Sequence, residues 1–380
     1  MSGRMSLAGL VATTAAVFLF VGCSSRRESR PDAPPLSEEA APADIRPADA
    51  VQAILEAFDR CPIVALGESH GLEDEREFIS RLAGDPRFAA KVQDIVVEFG
   101  NAKYQSVINR YLAETEVSPA ELQQVWRNHT CPGPWTSSAV PKYFAAFRAV
   151  NRALPHGQRF RVLLGDPPID WETVRSSQDF GRFLEQRDTH FARVVEEEVL
   201  AHGRRALLII GGLHLLRKDI YAKERASVLP PPGRGNGFGQ LPGRDPSNVV
   251  RLLERRHPGK VFVVLPHDGL GEGSAELEKR FRSWPTPSLA LLKGTWLGAV
   301  AANQVLPGSK DVKLIVNGKA VEMPKPDPAF GPRLEEVADA LLYLGPRKSL
   351  SWAPEADLTG DQAFQEELRR RSKVTLPSLP

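Results

Sequence analysis

The chain lacks the features that mark several large classes of protein. Its formal net charge is only +2, and no basic stripe is interleaved with aromatic residues, which argues against a nucleic-acid partner. It has three cysteines and no His-Glu-x-x-His sequence, so neither a Cys-rich metal site nor that zinc-binding helix is present. No internal repeat is found. Apolar residues make up 42% of the chain, which is ample material for a large core.

A long apolar run occurs near the N-terminus, between residues 7 and 21, and it is short for a membrane span. Arg4 precedes it and Cys23 follows it, so the segment resembles a bacterial lipoprotein signal. The sequence thus predicts a signal peptide over residues 1–22 and lipidation of Cys23. The lipid bilayer would then hold the body at the periplasmic or outer surface of a bacterial membrane. An uncleaved N-terminal anchor is the alternative.

The remainder is predicted to form one large domain between two irregular segments. Residues 23–46 are rich in Ser, Arg, Pro, Glu and Ala and read as a flexible tether. Residues 47–348 form the domain, and residues 349–380 form a charged and then Pro-rich tail. Cys61 and Cys131 could pair in an oxidising compartment or remain as two free, partly buried thiols.

The stretch from Ile63 to Phe78 has the layout of an α/β active site. A buried strand runs from Ile63 to Leu66, Gly67 turns the chain, and Glu68 and His70 follow before a helix begins near residue 73. Alternation along an extended chain sends Glu68 and His70 to the same side, so the carboxylate could hold the imidazole.

The same pattern returns in three further strands. Apolar runs near residues 94–100, 160–166 and 206–211 end at Glu98, at Asp166 and shortly before His214. Because helices separate the strands, we expect a central, mostly parallel α/β sheet with helices on both faces, and the polar groups meet at its carboxyl edge. A helical insertion over residues 102–155 follows the second strand, and a hairpin turns at Asn317-Gly318 near the C-terminus.

Other polar residues have a simpler interpretation or an open one. Glu73 and Glu75 suit the first turn of a helix, while Asp166 is as compatible with holding the Pro167-Pro168 turn as with catalysis. His129 reads as part of a surface loop, and Arg187 could pair with Glu98, with Glu185 or with Asp188. His267 and Asp268 follow a fifth strand but rank lower, since Pro266 intervenes. The Gly- and Pro-rich segment 222–248 is either a flap over the site or disordered.

The motifs resemble those of a known superfamily. Gly67-Glu-Ser-His-Gly71, Val97-Glu-Phe99, Arg187-Asp188 and Gly211-Gly-Leu-His214 are similar to sequences in erythromycin esterases, ChaN haem-uptake lipoproteins and TIKI-type proteases. The resemblance spans roughly residues 60–345. It implies a central sheet with helices on both sides, and a pocket lined by the following residues: Glu68, His70, Glu98, Arg187 and His214.

Two functions from different classes follow. In the first, a hydrolase acts on a small-molecule or peptide substrate, with His70 as general base, Glu68 or Glu98 orienting it, and His214 and Arg187 stabilising the oxyanion. A divalent metal held by His70, His214, Glu68 and Glu98 is a variant of this mechanism. In the second, the protein binds haem without catalysis through an axial residue such as Tyr104, Tyr111 or His129. Ser69 is the weaker choice of nucleophile, since a Gly-x-Ser-x-Gly elbow needs a separate histidine and acid.

Overall fold

The computed structural model describes residues 43–131, 138–220, 248–306, 313–316, 319–322, 331–354, 357–358 and 360–375. The predicted signal, Cys23, most of the tether and the proposed flap up to residue 247 lie outside these residues. Ala43 forms a β-bridge with Thr295, so the chain contacts the domain there. Ala43 lies four residues before residue 47, the predicted start of the domain. No helix within the described ranges is long and apolar enough to cross a membrane.

One mixed sheet of eight strands organises the fold. In spatial order its strands are β1, β7, β10, β6, β2, β5, β3 and β4, and the run from β10 to β4 is parallel throughout. Strand β7 is antiparallel to its neighbours β1 and β10. The bounds of the ten strands, in chain order from β1 to β10, are Ala48–Asp49, Ile63–Glu68, Asp94–Asn101, Arg161–Asp166, Ala206–Gly211, Val261–Pro266, Ser288–Leu291, Lys313–Val316, Lys319–Glu322 and Ala340–Tyr343.

Strands β8 and β9 pair antiparallel as a separate two-stranded sheet, as expected for the two arms of the predicted hairpin, whose turn at Asn317-Gly318 lies outside the described residues. The bounds of the α-helices, from α1 to α12, are Ala50–Ala57, Glu73–Gly84, Pro86–Lys91, Gln105–Leu112, Pro119–Arg127, Ala139–Ala153, Ser177–Val194, Val249–Arg256, Ser274–Phe281, Ala302–Val305, Leu334–Val337 and Gln362–Thr375. Helices α4, α5 and α6 lie in the insertion predicted over residues 102–155.

Both faces of the central strands are buried, as expected when helices cover a parallel sheet on both sides. Alternate residues of β2 enter two different cores: Val64 and Leu66 join one, and Ile63 and Ala65 join the other. The first core is completed mainly by helices α1 to α6 and the second by helices α7 to α11. This double burial explains why the central strands read as nearly continuous apolar runs. The predicted α/β fold with helices on both faces is confirmed.

The topology brings the polar strand ends together. Strands β2, β5, β3 and β4 are consecutive in the sheet and parallel, so their carboxyl ends lie side by side. Glu68 at the end of β2 is in register with Gly211 at the end of β5, and Asn101 of β3 pairs with Asp166 of β4. Open α/β sheets bind ligands at this edge.

Candidate active site

The first element of the site is an imidazole–carboxylate pair at the end of β2. Nδ1 of His70 lies 2.5 Å from Oε2 of Glu68. The side chain of Glu68 is buried, whereas 43% of the His70 side chain is exposed. Burial lowers the pKa of His70, but the hydrogen bond and the negative charge of Glu68 outweigh it and raise that pKa above 6.5. The contact between Glu68 and His70 expected from the sequence is therefore present.

A second imidazole–carboxylate pair faces the first from the end of β5. Nδ1 of His214 lies 2.5 Å from Oδ1 of Asp188, which is carried by helix α7. Burial again lowers the pKa of the imidazole, and the charges of Asp188 and Glu98 raise it above 6.5. The sequence did not identify Asp188 as a site residue, and the interpretation that Arg187 pairs with Asp188 on its own helix is wrong. The two neighbours bind different partners.

Glu98 is the buried charge between the two pairs. Oε2 accepts a hydrogen bond from the backbone N–H of Gly211 at 2.7 Å, and Oε1 binds the guanidinium of Arg187 and lies 3.6 Å from Nε2 of His214. Burial would raise the pKa of Glu98, but the charges of His214, Arg187 and His70 hold it at about 2. Glu98 is consequently an anion at every pH at which the protein would work.

Gly211 allows these groups to approach one another. A Cβ atom at this position would lie 3.3 Å from Oε2 of Glu98, 3.4 Å from Cε1 of His70 and 3.6 Å from Cδ2 of His214. The φ of Gly211 is −48°, so the glycine is needed for space and not for its backbone conformation. Gly211 therefore lets Glu98, His70 and His214 approach the backbone closely.

Asp166 lies next to His129, whose position differs from the one predicted. The side chain of His129 is fully buried, not part of a surface loop. Its Nδ1 accepts the N–H of Cys131 at 2.8 Å, and its Nε2 lies 2.7 Å from the carbonyl oxygen of Glu98 and 3.2 Å from Asp166. Burial and the charge of Arg187 lower the pKa of His129 to about 3, so it is a neutral bridge.

The carboxylate of Asp166 accepts hydrogen bonds from the backbone N–H and the hydroxyl of Thr130. Burial raises the pKa of Asp166 to about 7, against the opposing charge of Arg187, whose Nε lies 3.7 Å away. Asp166, Arg187 and His214 border a small cavity of about 10 Å³. Neither Asp166 nor Arg187 lines the larger cavity beside His70, so the contact between Arg187 and an oxyanion stays a prediction.

Two acidic residues in the first turn of α2 lie in different environments. Glu73 is bound by Arg76 and Lys142 and takes no part in the site, in line with its interpretation as a first-turn residue. Glu75 is fully buried, and its Oε2 accepts the backbone N–H of Ser69 at 2.9 Å. Burial and the charge of Glu68 raise the pKa of Glu75 well above 4.5, and its hydrogen bond to Ser69 fixes the turn before His70. Glu75 lies in the first helical turn as predicted, but it is buried and has this second role.

The two histidines line a cavity of about 360 Å³. Its polar side is formed by the first pair, His214, Ser69 and Asp268, and its other side is apolar. The hydroxyl of Ser69 lies 3.4 Å from Oδ2 of Asp268, which is a carboxylate partner rather than the imidazole that a nucleophile needs. Asp268, ranked low in the sequence, lies at the pocket, whereas His267 is buried against Phe281.

The residues suggested as metal ligands are not gathered around one point. Glu98 is bound by the cation of Arg187, which would compete with a metal ion for that carboxylate. No group of three or more His, Cys, Asp or Glu side chains in the described part of the chain is placed to hold one. The suggested haem ligands lie apart from the cavity: Tyr104 is bonded to Asn128, and the ring of Tyr111 lies under the guanidinium of Arg148. Cys61 and Cys131 are free thiols.

No protein-family model matches the chain, and neither does the sequence of any curated protein. Solved structures do match. A succinoglycan biosynthesis protein is similar with a TM-score of 0.51 and 8% identity, over 80% of this chain and 94% of that one. A mutant of the erythromycin esterase EreC in its open conformation matches with a TM-score of 0.47 and 12% identity, over 81% and 95%.

ChaN of Campylobacter jejuni, with cofacially bound haem, matches with a TM-score of 0.31 and 10% identity, over 58% of this chain and 86% of that one. At a TM-score of 0.51 and 8% identity, the match to the succinoglycan biosynthesis protein shows a shared fold and not a shared activity. The structural neighbours of this α/β chain include an erythromycin esterase and a ChaN protein, which belong to two of the three groups whose motifs its sequence resembles.

Proposed function

We propose that the protein is a hydrolase that uses water to cleave an ester or amide bond. One observation carries the proposal: two imidazole–carboxylate pairs converge on a buried glutamate beside a cavity, at the sheet edge where α/β proteins bind ligands. A histidine oriented by a carboxylate at Nδ1 is the arrangement that general-base catalysis uses. The superfamily resemblance supports the same class of reaction.

His70 is the base. Because Glu68 binds Nδ1, the nitrogen that accepts a proton is Nε2. A water molecule gives its proton to Nε2 as its oxygen adds to the carbonyl carbon. The imidazolium that forms is stabilised by Glu68 and, through space, by Glu98.

His214 is the acid. Asp188 and Glu98 favour its protonated form, which donates a hydrogen bond to the oxyanion and then gives its proton to the leaving alkoxide or amide as the bond to the carbonyl carbon breaks. The products are a carboxylic acid and an alcohol or amine. Glu98 does not accept the proton itself, because Gly211 and Arg187 occupy its oxygens and its pKa is about 2.

The experiment is a screen of p-nitrophenyl esters and p-nitroanilides with the full chain and with His70→Gln. General acid–base catalysis contributes about 10²- to 10⁴-fold, so the variant should lose that much of kcat/KM. His156→Gln, at an exposed turn, is the matched control and should keep full activity. Equal turnover by wild type and His70→Gln, or no turnover by either, would count against a hydrolase.

We further propose, from the N-terminal sequence, that Cys23 carries a lipid that anchors the enzyme at the periplasmic or outer surface of a bacterial membrane. Expression of wild type and Cys23→Ser with radiolabelled palmitate tests this. Wild type should incorporate the label and the variant should not, whereas wild type that stays unlabelled and keeps its N-terminal segment would favour the uncleaved anchor.

A further inference from the structure

Exposed large apolar side chains are concentrated at the mouth of the cavity. In the described part of the chain five such side chains are exposed: Leu184, Leu213, Leu270, Leu291 and Trp352. Three of them, Leu213, Leu270 and Trp352, line the cavity beside the two histidines. Their exposed fractions are 48%, 42% and 39%. Contiguous exposed apolar surface next to polar groups is typical of a ligand-binding site.

The position of Trp352 is fixed relative to His70. The backbone around it is hydrogen-bonded to the turn that follows His70: the N–H of Ala353 donates to the carbonyl of Gly71 at 2.7 Å, and Trp352 bridges to Leu72. On its other side, the guanidinium carbon of Arg347 lies 5.1 Å from the centre of the Trp352 ring. The indole therefore forms a wall of the cavity whose position is held by these contacts.

Backbone hydrogen bonds also hold the segments that carry Leu213 and Leu270 at the cavity. Leu213 lies between Gly212 and His214 in a short 3₁₀ turn, and its carbonyl accepts a hydrogen bond from the Asn248 amide at 3.1 Å. The N–H of Leu270 donates to Asp268 at 2.9 Å. Leu213 is adjacent to His214 in the chain, and the segment of Trp352 is hydrogen-bonded to the turn after His70. A group bound to the apolar wall therefore has a defined distance from the two histidines.

We propose that this wall, which we call the apolar subsite (Leu213, Leu270 and Trp352), binds an apolar acyl or alkyl group of the substrate while the carbonyl meets His70 and His214. This inference rests on the proposed hydrolase function and names its substrate class: esters or amides with an extended apolar substituent. Such a group removes exposed apolar surface of both molecules from water, which favours longer chains by about fourfold for each methylene group buried.

The test compares kcat/KM for p-nitrophenyl hexanoate and p-nitrophenyl acetate. Wild type should prefer the hexanoate by at least about tenfold, since the added methylenes contact the wall. Trp352→Ala and Leu213→Ser should reduce this preference at least several-fold, because they lower kcat/KM for the hexanoate more than kcat/KM for the acetate. Leu291→Ser is the matched control, because Leu291 is 50% exposed on β7 and does not line the cavity.

Three results would overturn the subsite: no preference for the hexanoate in wild type, an equal loss with both esters in Trp352→Ala, or the same loss of preference in Leu291→Ser. The binding of 1-octanol and of 1-butanol, measured by saturation-transfer NMR, separates this inference from the hydrolase proposal. If no ester is cleaved but octanol binds more tightly than butanol and Trp352→Ala removes the difference, the subsite stands and the hydrolase does not. If esters are cleaved but turnover does not depend on chain length, the hydrolase proposal stands and the subsite does not.

Discussion

Replacement of Glu98 by glutamine tests whether the buried charge holds the site together. The pKa of Glu98 falls from 4.5 to about 2 in the folded protein, and at about 1.4 kcal/mol per pH unit this corresponds to about 3 kcal/mol of stability at pH 7. A second argument gives a similar value: breaking a buried ion pair by removing one partner costs about 3–5 kcal/mol, and the variant leaves the largely buried Arg187 without Glu98.

The assay is urea unfolding of wild type and Glu98→Gln between pH 7 and pH 3. Because the folded pKa lies below the unfolded one, the contribution of Glu98 is fully present above pH 4.5 and is lost as the pH falls towards 2. The difference between the two free energies of unfolding should therefore be about 3 kcal/mol at pH 7 and about half of that at pH 3.

Glu75→Gln is the matched control, because Glu75 is also a buried glutamate but its pKa is raised instead. Glutamine removes the negative charge that burial and Glu68 disfavour at this position, and its amide oxygen can still accept the N–H of Ser69. At pH 7 the variant should be as stable as wild type or more so. Equal destabilisation by Glu98→Gln and Glu75→Gln, or none by Glu98→Gln, would refute the reasoning about the charge.

Three further predictions concern activity. Glu68→Gln should move the acidic limb of the pH profile of kcat/KM to lower pH, because His70 loses the partner that raises its pKa while its burial remains. Asp188→Asn should move the basic limb to lower pH, because His214 then loses its proton more readily. Gly211→Ala should reduce kcat/KM on the order of tenfold, because the added methyl group displaces Glu98 and His70 by a few tenths of an ångström.

Each of these has a specific contrary outcome. Unchanged limbs in the first two variants would mean that the carboxylates do not set the proton affinities of the histidines. Gly157→Ala is the control for the glycine variant, since a Cβ at Gly157 meets nothing within 4 Å. If Gly157→Ala and Gly211→Ala behave alike, crowding at the site is not the cause.

Much of the sheet and most of the site could be predicted from the sequence, because both depend on local pattern and on one topological rule. Apolar runs that end in glycine and an ionisable residue mark the ends of β2 and β3, and parallel strands place those ends on one edge. Glu68, His70, Glu98 and His214 were found in this way, and the structure brings them together.

The residues that were missed or misjudged depend on packing between distant segments. Asp188 reaches His214 through the tertiary placement of helix α7, and helical periodicity does not reveal which neighbour each residue meets. The burial of His129 follows from contacts with Glu98 and Asp166. An acid in a first helical turn looks the same in sequence whether it faces solvent, as is typical, or the interior, as Glu75 does.

The most direct test of the central claim is the double-mutant cycle of His70→Gln and His214→Gln, measured as kcat/KM for one ester. If the two imidazoles act as one unit around Glu98, each single variant loses about 10²- to 10⁴-fold and the double variant loses little more than either one. Losses that multiply would show two independent groups, and single variants with wild-type activity would show that neither histidine takes part in the reaction.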